Sequence, residues 1–126
     1  MGMRADDRVA KEVVDAAVAV HRALGPGLLE RVYQGALVLE LRKRGLCTEE
    51  EVALAVRYDG HDLGCGYRCD LIVEGLVLVE LKALEKLDRV HRRQILTYLR
   101  LSGLRLALLL NFGAPLMREG IVRLAN

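Results

Sequence analysis

The stretch Leu76-Val77-Leu78-Val79-Glu80-Leu81-Lys82-Ala83 constrains this chain more than any other. Its apolar run suits a strand buried on both faces, yet Glu80 and Lys82 interrupt it at one end. Residues two apart on a strand project to the same side, so the two charged side chains are neighbours. Burying either one unpaired is costly. A fold that accepts both at the end of a central strand either closes them into a structural ion pair or puts them to chemical use.

Upstream, Gly66-Tyr67-Arg68-Cys69-Asp70-Leu71-Ile72-Val73 reads as a second apolar strand with one acid, turning through Glu74-Gly75 into the first. The two form an antiparallel hairpin, and its register decides the chemistry. A two-residue Glu74-Gly75 turn would send Asp70 and Glu80 to opposite faces. A three-residue loop, Glu74 to Leu76, or a bulge, sets them directly across from one another. The apolar pattern selects this second register. Cys69, Leu71 and Val73 then meet Leu81, Val79 and Val77 on a wholly apolar face, the core face. Arg68, Asp70 and Ile72 meet Lys82, Glu80 and Leu78 on the other. Two carboxylates on adjacent strands, with a lysine beside them, make a hard-cation site with a positive neighbour for an anion.

The rest of the chain supplies helices and further strands. Asp6 to Leu24 carries Val9, Val13, Ala16, Val20 and Leu24 on one helical stripe, with Asp6 or Asp7 as its cap and Gly25-Pro26-Gly27 as its stop. A second helix is expected from Leu28 to Arg44, ended by Gly45, its apolar surface formed by Val32, Ala36, Leu37, Leu39 and Leu41. Glu30 falls in its first turn, where the helix dipole alone would account for an acid. Glu51 to Tyr58 alternates as a strand, and Asp59-Gly60 predicts a hairpin turn. That turn pairs Val56 with Leu63, Leu54 with Cys65 and Val52 with Tyr67, leaving Asp70 on the charged side beside Arg57. Asp88 to Ser102 is a helix packed through Val90, Ile95, Leu96, Leu99 and Leu101, with Gln94 and Tyr98 sharing a face. Leu104 to Asn111 is a buried strand, reached by a crossover that implies parallel pairing. Leu116 to Leu124 adds an edge strand. The expected fold class is therefore α/β, one domain over residues 1–126: a central mixed sheet with an antiparallel meander and a β-α-β crossover, flanked by helices.

Composition narrows the function classes. A chain of 126 residues with 52% hydrophobic content builds a real core, and a net charge of +2 permits a nucleic-acid partner without demanding one. Aromatic residues are only 4%, so base-stacking platforms are not expected. No apolar run approaches membrane-helix length, and the charged N-terminus lacks a signal-peptide core, so the expected location is cytoplasmic. Three cysteines suggest reduced thiols. His61, Cys65 and Cys69, spaced by four, match zinc-knuckle spacing poorly and read as strand residues.

These residues together resemble a known family. Gly27-Leu28-Leu29-Glu30-Arg31-Val32-Tyr33 matches the signature of the GxxExxY protein family, and the resemblance extends from about Val9 to Asn126, including the Leu109–Pro115 stretch LLNFGAP. That family is similar to the PD-(D/E)XK nuclease superfamily, whose Asp and Glu-x-Lys core appears here as Asp70 and Glu80-Leu81-Lys82. A helix-one Glu and a Gln-x3-Tyr helix motif, known from the exonuclease branch, appear as Glu30 and Gln94 to Tyr98. The resemblance implies that Asp70, Glu80 and the backbone carbonyl of Leu81 bind Mg2+ or Mn2+, with Glu30 completing or tuning the site. It implies that Lys82 acts at the attacking water or the scissile phosphate, and that Gln94 and Tyr98 position the site. The partner it implies is nucleic acid, DNA or RNA. Arg68, Arg92 and Arg93 are the candidate phosphate contacts. A chain this small is expected to form a homodimer or work with a protein partner. Two alternatives remain: a catalytically silent binding or interaction module on the same fold, and a structural charge cluster.

Overall fold

A computed structural model describes residues 2–64 and 66–126. The apolar stripes form helices α1 (Ala5–Leu24), α2 (Glu30–Lys43) and α3 (Arg89–Ser102). The strands are β1 (Thr48–Leu54), β2 (Arg57–Tyr58), β3 (His61–Asp62), β4 (Tyr67–Val73), β5 (Val77–Lys82), β6 (Leu106–Asn111) and β7 (Ile121–Ala125). Five strands make one mixed sheet in the order β1-β4-β5-β6-β7, and β2 and β3 form a separate ribbon. Within the five-stranded sheet β5 and β6 pair in parallel, with α3 between them in the chain, and the other neighbours are antiparallel. This is the α/β meander-and-crossover architecture that the sequence predicts.

Both faces of the sheet are covered. Val77, Val79 and Leu81 of β5, with Leu106, Leu108 and Leu110 of β6, pack against α1 and α2 through Val13, Ala17, Tyr33, Leu37 and Leu41. Leu78, Ala107 and Leu109 pack against Ile95, Tyr98 and Leu99 of α3. Double coverage explains why β5 and β6 are near-continuous apolar runs. Each fully buried aliphatic side chain contributes about 1.5–3 kcal/mol. No helix among the described residues is long and apolar enough to cross a membrane.

Several expectations are corrected. The face that carries the charges at one end is a second core over the rest of its length, where α3 covers Leu78 and Ile72. Cys69 packs in that core rather than with Leu71, so the strand changes sides between them. Val32 and Leu39 are exposed, since they lie across α2 from Leu37 and Leu41. Val90 is exposed because nine residues turn a helix by half a revolution from Leu99, and Leu24, the last residue of α1, is exposed as well. Asp6 and Asp7 do not cap α1, whose N-cap is Arg4 without a side-chain bond. They accept from Arg105 at 2.7 and 2.9 Å, and Asp7 also from Arg123. The start of α1 is thereby tied to β6 and β7, and the Arg105 guanidinium holds the Asp6 carboxyl down at about 2.

The Asp59-Gly60 turn forms as expected, pairing Tyr58 with His61 and Arg57 with Asp62. The β1–β4 register does not follow from it. Leu54 pairs with Tyr67 and Val52 with Cys69, two residues beyond the expected partners. The return strand takes up the extra length around Gly64 and Gly66, and the expected partner Cys65 lies outside the described residues. A slip of two residues by itself keeps side chains on their faces, so Val52 and Leu54 stay on one side with Cys69, and the change of side comes only after it.

Candidate functional site

The site begins with the hairpin loop. Glu74 and Gly75 take left-handed backbone, φ 55° and 64°, and the Leu76 N–H donates to Val73 at 3.0 Å. This three-residue loop pairs Val73 with Val77, Ile72 with Leu78 and Leu71 with Val79, so Asp70 comes opposite Glu80. There the regular ladder stops. The Asp70 N–H donates instead to Glu80 Oε1 at 2.6 Å, and the Leu81 N–H to Asp70 Oδ2 at 2.8 Å. The strands fork, and each carboxylate occupies the place of a neighbour's carbonyl.

The other edge of β4 is interrupted at the same residue. The β1–β4 pairs run on both sides of Glu51 and Asp70 but omit that pair. Glu51 has a φ of 51°, which a non-glycine residue rarely adopts. Gln34 of α2 bridges the gap, donating to Glu51 Oε2 at 2.9 Å and reaching the Asp70 carbonyl at 3.5 Å. Asp70 thus sits at a break in both of its ladders, where the strand changes sides.

Electrostatics follow from burial. Glu80 is 5% exposed. Burial, and then the charge of Asp70, push its carboxyl up to about 8. Burial also raises Asp70, with Glu51 adding to the effect while the Leu81 N–H and Lys82 oppose it. Glu30 is raised by burial and by Asp70 and Glu51, and lowered by Lys82. It therefore lies within the field of the cluster, although it stands on a different element. Lys82 acts on all three acids through space and forms no direct ion pair among the described residues. A closed Glu80–Lys82 bridge is not what the chain makes.

The helices deliver the remaining residues. Tyr33 explains the spacing around Glu30. Its hydroxyl donates to the Gly25 carbonyl and accepts the Leu28 N–H at 3.1 Å, and its ring stacks on Phe112 at 4.7 Å. The loop ahead of α2, and with it Glu30, is held against the core. Tyr98 of α3 is buried, lies edge-on to Tyr67 at 6.0 Å, and is raised first by burial and then by Glu80 and Asp70. Gln94 is half-buried one turn earlier and makes no hydrogen bond among the described residues. Arg68, Arg92 and Arg93 are exposed. His91 caps α3 with Asp88, accepting the Asp88 N–H at 3.1 Å. Cys69 is buried and its thiol is pushed up to about 12, chiefly by burial, which leaves it inert.

Sequence reasoning missed three contributors: Gln34, Glu51 and Asn111. Gln34 stands one helical turn after Glu30, a spacing that could have flagged it. Glu51 stands opposite Asp70 because of the register shift. Asn111, opposite Lys82 on β6, accepts the Leu84 and Gly113 N–H groups at 2.9 and 3.1 Å and donates to the Leu84 carbonyl at 3.0 Å. It clamps the chain where it leaves β5. Gly113 is required there, since a Cβ would lie 2.1 Å from the Leu84 carbonyl oxygen.

The donor set suits a hard divalent cation. Two facing carboxylates each keep an oxygen that no N–H among the described residues engages, and both are driven toward the protonated form for want of positive charge. The Leu81 N–H points toward β4, and on a strand the carbonyl of the same residue points the same way. No group of three or more His, Cys, Asp or Glu side chains among the described residues forms a full ligand set. Such a donor set fits a cation that keeps several waters, as Mg2+ does; Glu30 is coupled to it through space.

Residues 7–124 match the family model of the PD-(D/E)XK nuclease superfamily. No curated protein and no solved structure matches the chain.

Proposed function

This chain belongs to the PD-(D/E)XK nuclease superfamily, and on that footing we propose that it is a divalent-metal-dependent hydrolase of nucleic-acid phosphodiester bonds. The observation that carries this is the fork at Asp70 and Glu80: a half-buried and a buried carboxylate facing one another, with the Lys82 ammonium nearby and in no ion pair among the described residues. Asp70, Glu80 and the Leu81 carbonyl are the groups that would hold Mg2+ or Mn2+. Such an ion supplies Lewis acidity and a more acidic water. Lys82 stabilises negative charge that develops on the phosphoryl oxygens. Glu30 adjusts the field at the acids, and Gln94 and Tyr98 line the substrate side from α3. Arg68, Arg92 and Arg93 contact backbone phosphates.

Within the superfamily we assign the chain to the GxxExxY group, on the Gly27–Tyr33 motif and the role of Tyr33 in holding Glu30. We also take it to work as one domain over residues 1–126 on DNA or RNA, as a homodimer or with a protein partner. A cytoplasmic setting suits its unpaired Cys47 and Cys69.

Labelled DNA and RNA oligonucleotides, incubated with Mn2+ or with chelator, test the activity. The wild type should cleave only with metal, and Lys82→Ala should keep metal affinity while losing about 10²-fold or more in turnover. No manganese uptake at millimolar concentration and no cleavage would sink the enzyme. The binding-module alternative has one observation behind it: the carboxylates already accept backbone N–H groups without an ion. It predicts nucleic-acid binding that chelator leaves untouched and no cleavage.

A further inference from the structure

We propose that this site takes unstacked, single-stranded nucleic acid, with Tyr67, backed by Tyr98, as the platform for a base beside the scissile phosphate. The proposal rests on the nuclease function and deepens it.

The chain has four tyrosines, one phenylalanine and no tryptophan. Tyr33 and Phe112 stack on one another in the core. Of the other three rings, Tyr67 and Tyr98 stand on β4 and α3, and Tyr58 on the β2–β3 ribbon. Tyr98 is buried and feels the charges of Glu80 and Asp70. Its ring meets that of Tyr67 at 62° and 6.0 Å, the edge-to-face arrangement that fixes both rings. Tyr67 remains 44% exposed, three residues before Asp70 on the same strand. An aromatic ring braced by Tyr98 and partly open to water, about 10 Å along the strand from Asp70, suits a base that has left its stack. Such stacking is indifferent to base identity. In a duplex the faces of internal bases are already covered, so only an unpaired strand uses this surface.

The β2–β3 ribbon extends the platform. It follows the Leu54–Tyr67 pair at the end of β1 and β4. Tyr58 on this ribbon is 74% exposed and stands four residues past Leu54, a span of at most about 14 Å. It offers a second ring along the same strand, with the exposed Arg57 beside it. Lys82 and Arg68 supply positive charge at the fork for the phosphates between.

Binding is measured on the full chain in chelator, so that cleavage does not enter, with fluorescent oligo-dT, oligo-U and a duplex of equal length. Tyrosine emission offers a second readout because the chain lacks tryptophan. Single strands should bind about tenfold or more tighter than duplex. Tyr67→Ala should weaken single-strand binding by about tenfold, within the range measured for removing one stacked base, and leave duplex binding unchanged. Tyr67→Phe should bind like the wild type, since stacking needs the ring and not the hydroxyl. Tyr58→Ala, at an exposed position, should weaken single-strand binding by a smaller factor without touching the core. Equal binding by Tyr67→Ala and the wild type overturns the proposal, as does a preference for duplex. If Tyr67→Ala binds and, with Mn2+, cleaves the single strands as the wild type does, the platform is wrong and the nuclease function stands. If the wild type neither binds nor cleaves any of the three, both fall.

Discussion

Replacing Glu80 with Gln should make the metal-free protein more stable at alkaline pH. The Glu80 carboxyl is raised from 4.5 to about 8, first by burial and then by Asp70. The folded state therefore holds this proton more tightly than the unfolded state does. Its contribution is complete below 4.5 and is lost as the pH climbs through about 8. One group titrating across that interval is worth roughly 5 kcal/mol at 1.36 kcal/mol per pH unit, comparable to the whole stability of a marginal domain. A Gln at this position keeps an oxygen to accept the Asp70 N–H, now 2.6 Å from Glu80 Oε1, and carries no charge to desolvate. Urea midpoints in chelator, taken from pH 5 to pH 9, provide the assay. The wild-type midpoint should fall steeply over that range and the Glu80→Gln midpoint much less, so the two curves separate at high pH. A flat wild-type profile, or a parallel fall in the variant, would refute the account of repelling buried acids.

Manganese should raise the wild-type melting temperature, most of all near pH 8 where the acids repel, and Asp70→Asn should remove most of that gain; scanning calorimetry with and without the ion reads both. Gly113→Ala should cost more than about 2 kcal/mol, because its Cβ would meet the Leu84 carbonyl oxygen at 2.1 Å. Hydrogen exchange at the Phe112 amide, which bonds to the Lys82 carbonyl at 2.8 Å, should quicken in that variant. Arg105→Ala should destabilise the fold at neutral pH. The Asp6 carboxyl, lowered from 3.8 to about 2 by Arg105, contributes stability above 3.8 that disappears as the pH falls through about 2, so the gap between variant and wild type should close in acid.

The hairpin that carries Asp70 and Glu80 was legible because its information is local. Side chains alternate with period two, and the apolar run on each strand admits only the odd loop that sets the acids face to face. The strand-helix-strand order from β5 to β6 was legible for the same reason, since buried strands and an amphipathic helix leave distinct periods. Local turn chemistry was also sound as far as it reached: Asp59-Gly60 does pair Tyr58 with His61.

What lay beyond the sequence are contacts between segments far apart in it. The two residues taken up ahead of β4 set Glu51 opposite Asp70, a shift no periodicity records because a slip of two by itself preserves every face. The coverage of the charged face by α3 depends on which side of the sheet the crossover packs. Asn111 reaches Leu84 across 27 positions, and Gln34 reaches the Asp70 carbonyl across 36. By itself the sequence determined which residues carry charge at the end of the central strand and which strand faces them. The tertiary structure alone decided that the strands fork there, that Lys82 stays out of ion-pair contact, and that Glu30 and Tyr98 come into the same field from separate helices. Patterns along a chain specify a local period, whereas convergence is set by how the packed layers meet.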